Sequence, residues 1–65
     1  MQMITPFQVS SKQEIITFNR LNNYSWRMVQ TKNNSTATKV MTNEEVEDSY
    51  KYFSSHWMDY DVKYI

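Results

Sequence analysis

The single histidine, His56, precedes Asp59 and Asp61 closely, and these three side chains come nearest in type and spacing to a metal-binding or acid–base group. They straddle the expected end of a helix, so they can converge, but their spacing matches no established ligand pattern. Any serine can be combined with His56 and an aspartate on paper, yet no nucleophile elbow accompanies one. The chain has no cysteine, which excludes thiolate zinc sites and disulfides. It has no glycine either, which removes the phosphate-cradling loops that need close backbone approach. The acids Glu44, Glu45, Glu47 and Asp48 lack the glycine and the ligand spacing of a calcium loop. The expectation is therefore a protein that is not an enzyme, with no catalytic residues, no metal and no cofactor. His56 is expected as a partly packed structural residue on a helix flank.

Two other groupings suit binding instead. Glu44, Glu45, Glu47 and Asp48 with Tyr52 form an acidic and aromatic patch on the polar side of a predicted helix, suited to a basic groove on a larger protein. The alternative lies upstream, where Arg20, Arg27, Lys32 and Lys39 are interleaved with Tyr24 and Trp26. Rings on a strand can stack bases while cations hold phosphates, the arrangement of a small nucleic-acid-binding protein. Its weakness is that Trp26 falls on the strand face a helix is expected to cover. The charges divide accordingly: Lys12, Arg20, Arg27, Lys32 and Lys39 face only Glu14 before residue 43. From there on Glu44, Glu45, Glu47, Asp48, Asp59 and Asp61 outnumber Lys51 and Lys63, although the formal net charge is zero.

The element that positions the acidic patch is a helix predicted over Thr42–Met58. Val46, Tyr50, Phe53 and Trp57 fall at i, i+4, i+7 and i+11, a narrow apolar stripe on a 3.6-residue repeat. Thr42 and Glu45 match a capping box, and the acids of the first turns suit the positive end of the helix dipole. All four stripe residues are expected in the core, with Phe53→Ala or Trp57→Ala costing about 3–5 kcal/mol each.

Strands are expected around it. Met1–Ser10 has strand composition through Met3, Ile4, Phe7 and Val9, but Pro6 confines it to an edge strand or an extended arm. Gln13–Leu21 reads as a strand because EIITF is β-branched and aromatic, with a helix as the alternative, since Ser11 and Glu14 also match a capping box. Asn22-Asn23 is expected as a two-residue turn. Tyr24–Thr31 alternates cleanly, Lys32–Ser35 is a turn and Thr36–Met41 a return strand. Tyr60–Ile65 alternates again, placing Tyr60, Val62 and Tyr64 on one face.

These elements make a small α+β domain spanning residues 1–65: an antiparallel β-meander with one amphipathic helix on one face and a C-terminal strand, in β-β-β-α-β order. A helical Gln13–Leu21 would change the first element. No apolar run resembles a signal peptide or reaches the roughly 18 residues needed to cross a bilayer, so a cytoplasmic protein with no membrane partner is expected. Sixty-five residues are few for one core, and three Phe, five Tyr and two Trp supply the large buried surfaces that compensate. In composition the chain resembles early accessory proteins of bacteriophages and other mobile elements, being tiny, rich in Asn and Tyr, and without Cys or Gly. The lack of assembled chemistry, a size suited to a plug or mimic, and more aromatics than so small a core can absorb point to an inhibitor or modulator of a larger host protein. The partner expected is thus a larger protein, ahead of nucleic acid, with a homodimer through an exposed strand edge as a further arrangement.

Overall fold

The computed structural model describes residues 5–65, so Met3 and Ile4 of the expected first strand lie outside it. Five strands and one helix follow in order: β1 (Phe7–Ser10), β2 (Glu14–Arg20), β3 (Ser25–Lys32), β4 (Ser35–Thr42), α1 (Asn43–Ser55) and β5 (Asp61–Tyr64). All strands form one antiparallel sheet in the spatial order β4-β3-β2-β1-β5. The α+β meander with a C-terminal strand is as the alternation of the sequence predicts, and the ambiguous stretch forms strand β2, Glu14–Arg20, rather than a helix.

Register decides which side chains meet. Phe7 pairs with Phe18, Phe18 with Met28, and Val9 with Ile16 on one side and Val62 on the other. Directly paired residues point to the same face, so one face of the sheet gathers Phe7, Val9, Ile16, Phe18, Trp26 and Met41. All six are buried, and α1 adds Val46 to the cluster. Phe7 is its centre: its ring stacks on Phe18 at 4.6 Å and meets Tyr50 of the helix edge-on at 5.2 Å. The other face carries Ile15, Thr17, Arg27, Val29, Thr38 and Val40 and, among the described residues, no helix, a division usual for antiparallel sheets.

The turns explain how a chain without glycine makes three hairpins. Asn33 and Asn34, between the paired Lys32 and Ser35, have φ of 52° and 64°. Positive φ at both central positions matches the twist of a two-residue hairpin, and Asn tolerates it better than other residues with a Cβ. Asn33→Val should therefore destabilise the protein by about 1–2 kcal/mol, readable as a shift in the urea midpoint. The β2–β3 connection is longer than the two-residue turn expected. Leu21 N–H donates to the Ser25 carbonyl, and the Asn22 side-chain oxygen accepts from the Tyr24 and Ser25 amides at 2.8 and 2.9 Å. At β1–β2 the Ser11 hydroxyl accepts from the Glu14 amide, the bond of a helix cap used in a hairpin turn instead.

Two expectations are corrected. β1 is not an edge strand: it lies between β2 and β5, because Pro6 stands just before the strand, where its missing N–H is no loss, and its carbonyl still accepts from Ile65 at 3.1 Å. The helix also ends earlier than Met58. The amide of His56 is shared between the Tyr52 and Phe53 carbonyls, and the amides of Asp59 and Tyr60 both turn back to the His56 carbonyl. Trp57 therefore leaves the apolar stripe and is 73% exposed, while Val46, Tyr50 and Phe53 keep to it. Its expected burial, and the stability cost assigned to it, do not hold.

Candidate protein-binding surface

The start of α1 is built as its sequence predicts. The Thr42 hydroxyl accepts from the Glu45 amide at 3.2 Å, and the Glu45 carboxylate accepts from the Thr42 amide at 3.0 Å. That second bond, aided by the Thr42 hydroxyl and Lys39, holds the Glu45 carboxyl below its ordinary range. Glu45 is thus an exposed acid with a structural duty.

Among the described residues, Glu44 and Asp48 make no side-chain hydrogen bond or ion pair within the fold. Glu44, Asp48 and Tyr52 stand at i, i+4 and i+8, all exposed, and form one ridge along the solvent side of the helix. Glu47 lies beside it, 3.4 Å from Lys51 in an exposed pair that contributes little to stability. Tyr52 is fixed more firmly than a solvent-facing residue needs to be. Its ring stacks on His56 at 4.3 Å and meets Phe53 edge-on at 5.3 Å. Its carbonyl takes a bond from the His56 side chain at 2.8 Å. A carbonyl can only accept, so the geometry assigns the proton to His56 Nδ1. A tyrosine held this way loses little rotamer freedom when a partner covers it.

The basic and aromatic residues of the central strands are dispersed. Trp26 is buried, with Arg20 over its ring at 4.5 Å and its indole N–H donating to Asn43 Oδ1 at 2.8 Å. Arg20 donates to the same oxygen, and the Asn43 side-chain Nδ2 donates to the Asn23 carbonyl. Arg20 and Trp26 are therefore joined in a bracket between the β2–β3 loop and the helix start. The Trp26 ring is not free to stack a base. Lys39 pairs with Met28 on the helix side of the sheet, and Lys32 follows the same alternation, whereas Arg27 pairs with Val40 on the open side. Tyr24 projects from the loop, 79% exposed. The six residues do not form one surface.

Among the described residues no group of three His, Asp or Glu is placed to hold a metal ion, so His56, Asp59 and Asp61 do not converge. No described helix is long and apolar enough to cross a membrane. A rim that the sequence reading overlooked lies where α1 meets β5. A shallow groove there is lined by Tyr50, Ser54, Trp57, Tyr60, Asp61, Val62 and Tyr64. The phenols of Tyr50 and Tyr64 are hydrogen-bonded to each other across it, and that bond, with burial, pushes the Tyr64 phenol above its ordinary range. The aromatic alternation of the tail signals a strand, but not which neighbours it joins.

No protein-family model matches the chain, and no curated protein or solved structure shows significant similarity to it.

Proposed function

We propose that this chain is a non-enzymatic protein-interaction module that occupies a basic surface of a larger protein with the outer ridge of α1, acting as an inhibitor or modulator of that partner. The observation that carries the reading is the ridge itself: Glu44, Asp48 and a conformationally held Tyr52 in line, exposed, with none of the three used by the core. A rigid aromatic among acids supplies contact area and charge complementarity together. The opposite face of the same helix is taken up by Val46, Tyr50 and Phe53, so the ridge can be covered without disturbing the fold.

The test is titration calorimetry against nucleic-acid-binding and polymerase-type proteins with basic grooves, repeated with Glu44, Glu47 and Asp48 all reversed to Lys. Binding should weaken with salt in the parent, and reversal should reduce affinity at least about tenfold, since like charges at an interface cost several kcal/mol. Undiminished binding after reversal would remove the acidic ridge from the mechanism. The nucleic-acid alternative has less support, because Trp26 is enclosed and the cations are divided between two faces. A gel shift with single-stranded DNA or RNA that weakens steeply with salt would favour it instead.

A further inference from the structure

The outer edge of β5 has no strand beside it among the described residues, and its sequence is chemically symmetric about Val62: Tyr60, Asp61, Val62, Lys63, Tyr64. Reversed, the segment still reads ring, charge, valine, charge, ring, with the two charges of opposite sign. We propose that β5 pairs antiparallel with β5 of a second copy of this chain about a two-fold axis at Val62, joining the two sheets into one.

The backbone allows that register. Ile65 N–H donates to the Pro6 carbonyl, and the β1–β5 pairing continues inward through Lys63 with Gln8 and Asp61 with Ser10. In an antiparallel ladder inward and outward amides alternate, so Lys63 and Asp61 bond to β1 while Val62 and Tyr64 direct their N–H and C=O groups outward. Centred on Val62, each copy bonds Val62 to Val62, and each Tyr64 amide meets a Tyr60 carbonyl. The Tyr60 amide is not required, being already committed to the His56 carbonyl.

The side chains discriminate between registers. With the axis at Val62, each Asp61 stands directly opposite a Lys63 of the other copy, on the open face of the sheet. With the axis moved to Lys63, two lysines would stand opposite each other, which is unfavourable. Asp61 and Lys63 lie 3.7 Å apart in an exposed pair within the chain, so redirecting them loses little. On the helix face the same axis brings the two aromatic rims together. Trp57 is 73% exposed and Tyr64 63% exposed, large apolar surfaces that the single chain leaves in water. An unpaired edge beside exposed rings is the feature that self-pairing removes. This inference is independent of the α1 ridge, which uses other residues.

Sedimentation equilibrium over a wide concentration range tests it, with folding of each variant followed by circular dichroism. The parent should dimerise. Asp61→Lys and Lys63→Asp, at two exposed positions, should each raise the dissociation constant at least about tenfold, because each sets like charges opposite each other at both ends of the pairing. An equimolar mixture of these two variants should form a heterodimer, since its charges are again complementary. The double exchange Asp61→Lys with Lys63→Asp should restore dimerisation to within a few-fold of the parent. A parent that stays monomeric to millimolar concentration, single variants that dimerise as it does, or a mixture and double exchange that stay monomeric would each overturn the proposal.

Discussion

Replacing Trp26 with alanine should lower the unfolding free energy by about 3–5 kcal/mol, the cost usual for deleting a large aromatic ring from a core. The ring is 1% exposed and paired across the sheet with Met41, with Phe7 tilted against it at 6.3 Å. Its loss also strands two neighbours: Arg20 loses the ring beneath its guanidinium, and Asn43 loses the indole N–H that helps fix the helix start. Trp26→Phe is the informative companion. It keeps most of the apolar contact but not the N–H, and Arg20 still donates to Asn43 Oδ1, so it should cost much less, about 1–2 kcal/mol. Trp57→Ala should leave the monomer's stability within about 0.5 kcal/mol, as exposed positions do. Urea unfolding followed by circular dichroism at low protein concentration separates the three. A Trp26→Ala protein that melts within a few degrees of the parent would show that the bracket is not part of the core.

The contrast between the two tryptophans shows what was legible. Trp26 belongs to a strand, where alternation is a strictly local signal with a period of two, and its neighbour Met28 confirms the face. The expectation for Trp57 extends a helical period, which is valid only while the helix lasts. Nothing at residues 54–58 announces the stop, since neither Gly nor Pro is present; the chain ends the helix by turning amides back onto the Tyr52, Phe53 and His56 carbonyls. The helix start, by contrast, was legible to the residue, because Thr42 and Glu45 form both bonds of the capping box.

Three other features show where local pattern suffices and where it does not. Ser11 and Glu14 match a capping signature, yet the hydroxyl-to-amide bond they encode also closes a hairpin, and the β-branched run that follows decides for strand. Pro6 suggests the sheet edge. It marks only a position without a donor, and the edge is set by where β5 returns, beside β1 rather than β4. The acidic ridge was visible as a helical spacing, whereas Glu45's engagement and Tyr52's contacts with His56 and Phe53 needed the three-dimensional fold.

Removing residues 61–65 should abolish the folded monomer. β5 closes one side of the sheet with four residue pairs to β1, from Phe7 with Tyr64 to Ser10 with Asp61. Those pairs shield the fully buried Phe7 and Val9, the former being the ring around which the core is stacked. Without β5, Val62 no longer covers Val9, the Tyr50 phenol loses its partner on Tyr64, and the outer N–H and C=O groups of β1 are opened to water. A fully buried aliphatic side chain contributes about 1.5–3 kcal/mol and each native hydrogen bond a further net of about 0.5–1.5 kcal/mol, so the loss amounts to several kcal/mol. A chain of 65 residues has about 3–10 kcal/mol in total. The truncated protein should show no cooperative thermal transition by circular dichroism, whereas Asp61→Lys, which leaves β5 in place, should melt cooperatively as a monomer. Comparing the two separates the strand's duty within the chain from its duty between copies. A truncated protein with an unchanged melting curve would mean that β5 is a free recognition segment and that Val9 is protected by something other than Val62.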